Sequence, residues 1–511
     1  MSDIRTVLRD LGGIFIIVGF VSLIALVVPL YFGNSGSGYN EYKAILPILI
    51  TSAVFLGSGL PLYYSLRKAE PANFKSAMVT AALGWLLISL ISSIPFWLIP
   101  YNGIVTMDPL SGFFESMSGW TGTGLTMVDA ENILPYSLQF WRSLIQWVGG
   151  VGVIVLTLSI LARPGTGSFV LYKGEARDKK THPSIVSTVR TIWWIFLLYT
   201  IIGVIALTLI GFATSDGMTP WESLNHAMTG LATGGFSVTD DSITSFGTIS
   251  QLAIVVLMTM GAIAFAAHYD LLKGRVRKFL SDAQFKAMIL LIILGVIALT
   301  YINLEGTVAD GNVLHSLKVS GFQLTSAITC TGFASVEDVS IWNPSAKLII
   351  ACAMIIGGAA GSTAGGIKLF RGILLYKGVS WRIKRAISTP RRVFVHKLGN
   401  KPLSKDDATD LINEAAIISF IWVILLFVGV IVIMETTSVN SINTAHPLLS
   451  DSFFEVCSAQ GNVGLTTGIT HINMNPVGKI MLIINMWIGR LEIIPIIVLV
   501  KSMFGIKRNI I

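Results

Sequence analysis

Apolar stretches long enough to cross a bilayer recur from one end of this chain to the other, and nothing else in it limits the fold as much. Backbone in hydrocarbon has to satisfy its own N–H and C=O groups, so such stretches are helical and any irregular segment between them must be buried in protein or line water. Composition agrees. Of 511 residues, 53% are hydrophobic and 13% charged, roughly half the charged share of a soluble domain. The pattern predicts spans over 10–32, 44–66, 75–99, 136–162, 188–213, 247–272, 285–303, 345–372, 410–435 and 476–502. The first stretch, Gly12 to Leu30, lacks a small-residue cleavage site and precedes a second span, so it reads as an anchor rather than a signal peptide.

Charge placement orders these spans. With the N-terminus inside, one set of loops carries Arg67, Lys68 and Lys75, then Arg163 to Lys180, then Lys273 to Lys278, then Arg382 to Lys397 and the tail Lys507 and Arg508. The opposite loops carry Asp108, Asp129, Glu131, Asp216, Asp240, Asp241, Glu305, Asp310, Glu337 and Asp338. The bias follows the positive-inside rule and predicts a multi-pass protein of the cell membrane with both termini cytoplasmic. The formal charge of +8 is then topology, and no nucleic-acid partner is needed to explain it. Cys330, Cys352 and Cys457 lack paired spacing, and the histidines form no metal-binding or hydrolytic signature. No cofactor and no enzymatic activity are expected.

Four short segments lie between spans on the acidic side, too short to cross and too apolar for ordinary loops. Stacked without gaps they read FFESMSGWTGTGLT (113–126), LNHAMTGLATGGFS (224–237), GFQLTSAITCTGFA (321–334) and FFEVCSAQGNVGLT (453–466). All share a glycine at one position: Gly124, Gly235, Gly332 and Gly464. Each segment sits between a preceding and a following span, an M1–P–M2 unit that occurs four times. The expected fold is an all-α integral membrane protein, with two leading transmembrane helices and then four such repeats around a pseudo-fourfold ion pore. The boundaries are 1–70 for the leading helices, then 71–165, 166–280, 281–380 and 381–511 for the repeats. A cation stripped of water needs oxygen ligands, and rings of backbone carbonyls supply them without burying negative charge. Glycine permits the dihedrals that turn such carbonyls inward.

The motifs SGWTGTGLT, ATGGFS, GSTAGGIK and GRLE, with the repeat itself, make nearly the whole chain resemble the Trk/Ktr/HKT superfamily of potassium transporters, in particular the prokaryotic Trk-type pore subunit. The resemblance implies a potassium-selective filter at the four glycines, where a serine at the first position is associated with sodium permeation. The filter residues it implies are Thr121, Gly122, Thr123, Gly124, Ala232, Thr233, Gly234, Gly235, Thr329, Cys330, Thr331, Gly332, Gly461, Asn462, Val463 and Gly464. Potassium is the transported ion and would bind there only. Gly122, Gly461 and Cys330 depart from the family's usual small or hydroxyl residues, which leaves the strictness of selectivity over sodium open. The resemblance further implies a homodimer and a separate cytosolic ring of nucleotide-binding regulatory subunits. For that ring the basic segment 377–405 offers a contact surface, or else a face for anionic lipid.

Several polar residues within apolar stretches remain. MIIGGAAGSTAGGIKLFRG, at 354–372, resembles the family's intramembrane loop beneath the filter; Gly357, Gly358, Gly361, Gly365 and Gly366 are expected to break that helix and keep it mobile. It lacks the G-K-[ST] ending of a phosphate loop. Lys368 is either a gate charge or a lysine reaching the interface. Arg490, with Glu492 nearby, either pairs with a carboxylate or helix-end carbonyls to fix packing or stands in the pore as a charge that limits flux, and the resemblance favours the pore. Arg142 and Gln146 present a similar choice, and Arg142, near the outer end of its span, is expected to brace the pore helix or its glutamate. Glu115, His226, Gln323 and Glu455 share one position in the four segments and either support the filter from behind or reach the outer interface. Potassium uptake through a channel-like pore is the leading expectation. A secondary transporter coupling potassium to sodium or protons is the alternative, although such folds usually carry inverted repeats and these run parallel.

Overall fold

A computed structural model describes residues 2–34, 39–100, 106–152, 185–304, 311–336, 338–389, 396–398, 401–437 and 449–503. It is helical almost throughout. The leading helices α1 (Ser2–Ile24) and α2 (Ile45–Ser65) lie side by side. Glycines set their spacing: a Cβ on Gly12 would come 2.9 Å from the Gly59 carbonyl oxygen, the close approach small residues allow in membranes. Next come α3 (Phe74–Ser92), the short α4 (Pro109–Thr121) and α5 (Tyr136–Val151). The second unit is α6 (Ile185–Ala213), α7 (Pro220–Leu231), α8 (Thr248–Ala262) and α9 (Phe265–Leu272). The third is α10 (Ala283–Leu304), α11 (Val313–Ile328), α12 (Pro344–Ile355) and α13 (Leu369–Ala386). A small antiparallel hairpin, β1 (His396–Leu398) with β2 (Lys401–Leu403), pairs Lys397 with Pro402. The chain then runs through α14 (Lys405–Thr436), α15 (Leu449–Gly461), α16 (Pro476–Leu491) and α17 (Ile494–Met503).

The short helices α4, α7, α11 and α15 carry the four aligned segments. Each packs against the following-span helix of the preceding unit: α5 on α7, α8 on α11, α12 on α15, and α16 back on α4. That closes a ring. The leading helices join it through Glu41, a fully buried carboxylate that accepts the N–H groups of Tyr136 (2.7 Å) and Ser137 (3.1 Å) and the Ser137 hydroxyl. It satisfies orphan donors at the N-terminus of α5 and meets the positive end of its dipole.

Several expected spans differ. Those over 247–272 and 476–502 are not straight crossings: α8 and α9 meet at 107°, and α16 and α17 at 114°. The stretch 345–372 is α12, then an irregular segment, then α13. The span over 136–162 is described only to Gly152. All four following-span helices end within two residues of a matched glycine: Gly149, Gly261, Gly357 and Gly489. Hydropathy is blind to a bend that keeps both arms apolar, which is why the expected spans run through these breaks.

Ten residues before those glycines stand Gln139, Gln251, Lys347 and Lys479, all buried. Each side chain turns back on the loop that enters its own helix. Gln139 donates to Glu131 and Leu134 carbonyls, Gln251 to Ile243 and Phe246, Lys347 to Ser340 and Lys479 to Ile472. Three of them also reach the next unit. Gln139 accepts from Trp221, Lys347 pairs with Asp451 at 2.6 Å, and Lys479 bonds Ser111 at 2.6 Å.

Candidate functional site

Each short helix runs into a short non-helical stretch by the same turn. The N–H of Thr123, Gly234, Thr331 and Val463 donates to the carbonyl five residues back, on Ser118, Thr229, Ser326 and Ser458, at 2.8 to 2.9 Å. The residue before the donor takes a left-handed conformation in all four: Gly122 (φ +67°), Thr233 (+51°), Cys330 (+54°) and Asn462 (+54°). The shared glycines follow at φ +91° (Gly124), +75° (Gly235), +90° (Gly332) and +105° (Gly464). These dihedrals are the province of glycine.

The strands form a closed ring. A Cβ on Gly124 would lie 2.3 Å from the carbonyl oxygen of Gly234, one on Gly235 2.1 Å from that of Thr331, one on Gly332 1.9 Å from that of Val463, and one on Gly464 2.3 Å from that of Thr123. Each glycine thus sits against the next strand's carbonyl, in the order one, two, three, four, one. The C-terminal, partially negative end of each short helix opens onto its strand, which favours a cation there.

Side chains fix the strands from behind. Thr121 and Thr123 share a hydroxyl bond (2.7 Å), as do Thr329 and Thr331 (2.8 Å). Asn462 donates to Thr123 on the neighbouring strand and to the Met486 carbonyl. Cys330 is fully buried. Ala232 packs on Gly150, and Gly461 stands against the Met354 carbonyl, where a Cβ would come within 2.6 Å. The third residue of each segment supports the end of the strand rather than reaching the outer interface. Glu115 accepts from Met127 N–H and Thr126, Glu455 from Thr466, Thr467 and Thr470, and Gln323 from Ser335 N–H, while His226 bonds Ser237. All four are fully buried.

Arg142 reaches three of these groups: Glu115 at 2.8 Å, the Ser237 carbonyl at 2.8 Å and Thr126 at 3.1 Å. It links α4 to the second strand and lies over the Phe236 ring. Glu131, in the loop beyond the first strand, stands 3.7 Å from the same guanidinium. Burial pushes its carboxyl up to about 7, against the pull of Arg142.

Below the strands, 356–368 folds back on itself. Gly357 N–H bonds the Ile367 carbonyl and Ile367 N–H the Ile355 carbonyl. The loop is tied to the break in the second unit by Ala359 to Ala262, Thr363 to Gly261 and Phe265 to Gly361. Its glycines serve close packing. A Cβ on Gly357 would meet the Gly365 carbonyl at 1.9 Å, and one on Gly365 would meet Gly461 of the fourth strand at 2.5 Å. Gly358 packs on Ala262 and Ala364, and Gly361 and Gly366 take positive φ at the turns. Lys368 folds back onto the Ala364 carbonyl.

Arg490 donates to the carbonyls of Thr363 (2.8 Å), Gly149 and Gly150 (2.9 Å), bridging the loop and the end of α5. The Glu492 carboxylate pairs with Arg371. Sequence reasoning missed Thr363, whose hydroxyl meets Thr233 of the second strand at 2.9 Å and whose carbonyl holds Arg490. It missed Glu41 as well, because a lone acid in a loop carries no spacing signal.

A family profile described as a TrkH cation transport protein matches residues 47–505. An uncharacterized cation transporter of Methanocaldococcus jannaschii is 35% identical over 507 residues, covering 98% of this chain and 96% of the relative. The Trk system potassium uptake protein TrkH of Salmonella typhimurium is 31% identical over 513 residues, covering 98% and 99%. Among solved structures, the crystal structure of the potassium transporter TrkH from Vibrio parahaemolyticus matches with a TM-score of 0.80 at 25% identity, over 98% of this chain and 99% of that one.

Proposed function

This chain belongs to the TrkH family of cation transport proteins, and on that premise we propose that it takes up potassium through a pore on the axis of its four filter strands. It is a transporter, not an enzyme. The observation that carries the proposal is the closed ring, in which the glycine of each strand faces the carbonyl before the glycine of the next. Thr121 to Gly124, Ala232 to Gly235, Thr329 to Gly332 and Gly461 to Gly464 would present carbonyls to a dehydrated potassium ion. Hydrogen bonds from behind hold those oxygens at fixed spacing, so a smaller ion is served less well.

The gate in this reading is the loop from Gly357 through Lys368 together with Arg490. The guanidinium locks the loop to the end of α5 and puts a positive charge on the cation path; opening requires those carbonyl contacts to let go. Transport is channel-like, in a cell-membrane homodimer with cytoplasmic termini, built of repeats 71–165, 166–280, 281–380 and 381–511. Its regulator is a cytosolic ring of nucleotide-binding subunits that contacts the basic segment 377–405.

Rubidium and sodium uptake into liposomes containing the purified protein tests the proposal. Rubidium should enter down its own gradient, with sodium excluded and no sodium or proton gradient required. Uptake that depends strictly on a second ion's gradient would replace the channel with a coupled transporter.

A further inference from the structure

The four filter strands are not held alike, and the difference singles out one side chain. In the first, third and fourth strands a serine of the preceding helix receives the shared glycine's N–H: Gly124 on Ser118 at 3.0 Å, Gly332 on Ser326 at 3.1 Å, Gly464 on Ser458 at 2.9 Å. In the second strand that place is Thr229, and its hydroxyl lies 2.9 Å from the Phe236 carbonyl instead. The second strand is also the one with consecutive glycines, Gly234 and Gly235, so its backbone has the most freedom to lose.

A residue from another unit replaces the missing brace. Gln146 on α5 donates its amide N–H to the Gly234 carbonyl at 2.6 Å and accepts the Phe236 N–H at 3.0 Å. The two bonds bracket Gly235 from both sides. Only one orientation of the amide satisfies a carbonyl and an N–H together, so the network itself fixes the assignment. Three residues before the inner glycine, where α5 has Gln146, α8, α12 and α16 have Met258, Met354 and Met486, all fully buried. The strands change with them: where the others carry Thr123, Thr331 or Val463, the second carries Gly234, and a Cβ there would lie 2.5 Å from the Gln146 amide carbon. Gly234 is small so that Gln146 can reach the strand. A buried amide in an apolar layer is costly unless both of its ends are paired, and here both pairs are spent on the filter backbone.

We propose that Gln146 is a positioning residue for ion selection: its amide holds the Gly234 carbonyl and the Gly235 dihedrals in register with the other three strands. This rests on the filter reading given above. Losing it leaves the second strand free to rotate its carbonyl away, which widens the ring on one side and admits sodium.

The test replaces Gln146 with the residue its three counterparts use. Gln146→Met keeps the length of the side chain and removes both hydrogen bonds. In liposomes carrying equal amounts of monodisperse protein, discrimination of rubidium over sodium should fall about tenfold. A second change, Thr229→Ser in the Gln146→Met background, supplies the brace used by the other strands and should recover most of the discrimination. If Gln146→Met is not monodisperse, Gln146→Glu, of the same shape but without the donor, is read in its place and should lose discrimination too. Ser118→Ala, in the first strand, separates the two ideas. Wild-type discrimination in the Gln146 variant while Ser118→Ala loses it overturns the role of Gln146 alone. Wild-type discrimination in both removes the filter reading beneath it.

Discussion

Placing an alanine at Gly332 tests the ring at its tightest contact. The residue sits at φ +90°, and a Cβ would lie 1.9 Å from the Val463 carbonyl oxygen and 2.8 Å from its carbon. Both atoms are backbone of the next strand and cannot turn aside. The left-handed conformation costs an L-residue about 1–2 kcal/mol, and overpacking a site without slack about 1–3 kcal/mol more. The sum, roughly 2–5 kcal/mol, can be met only by moving a strand. Two further alanines separate these terms. Gly468 has φ +86° with nothing within 4 Å of a Cβ, so Gly468→Ala carries the dihedral cost alone. Gly119 lies in α4, where a Cβ would meet the tip of Ile145, a side chain able to shift. Apparent melting temperatures in detergent should therefore fall most for Gly332→Ala and less for the other two. Of the three, Gly332→Ala alone should also lose discrimination between rubidium and sodium in liposomes. If it melted no lower than Gly468→Ala and discriminated normally, the Val463 carbonyl would not be where the ring requires it.

Three further outcomes are expected. Arg490→Ala frees the carbonyls of Gly149, Gly150 and Thr363 and should raise rubidium uptake with little change in the yield of folded protein; a drop in yield without a rise in uptake would mark it as a packing anchor. Thr363→Val breaks the hydroxyl link from the loop to Thr233 and to the Gly261 carbonyl, so basal flux should rise while the rubidium-to-sodium ratio holds, and unaltered flux would take the loop out of the gate. Glu131 should leave a pH signature. Its folded carboxyl titrates near 7 and an unfolded one at about 4.3, so the folded state binds the proton more tightly and stability is lost as pH rises through that window. The melting temperature of wild type minus that of Glu131→Gln should therefore fall between about pH 4.3 and 7, and a flat or rising difference would contradict the burial of that carboxyl.

The sequence carried the helical membrane fold and the four matched segments because both rest on local pattern: apolar length for the spans, and a glycine demanded by its own dihedral for the strands. It also pointed to Glu115, His226, Gln323 and Glu455 as a set. Position alone could not choose between supporting the strand and reaching the interface; burial and the N–H groups of Met127, Thr467 and Ser335, which donate to these side chains, decided that. The bend after α8 stayed hidden because Ile263 and Ala264 interrupt the helix without a proline; after α16 the sequence does carry a mark, Pro495 in the first turn of α17, but its apolar surroundings masked the break. Glu492 and Ile493 even take positive φ, which no propensity would suggest. Pairings between units were the least legible. Arg490 donates to the carbonyls of Gly149, Gly150 and Thr363, and Gln146 to a strand 88 residues away; which backbone groups they meet is decided only once the ring has closed.

The most direct measurement of the central claim is to locate the ion. Crystals of this protein grown or soaked in rubidium should give anomalous density on the ring axis, among the carbonyls that precede Gly124, Gly235, Gly332 and Gly464, and potassium should displace it far more readily than sodium does. Rubidium bound elsewhere, with the ring empty, would contradict the assignment of these four strands as the filter.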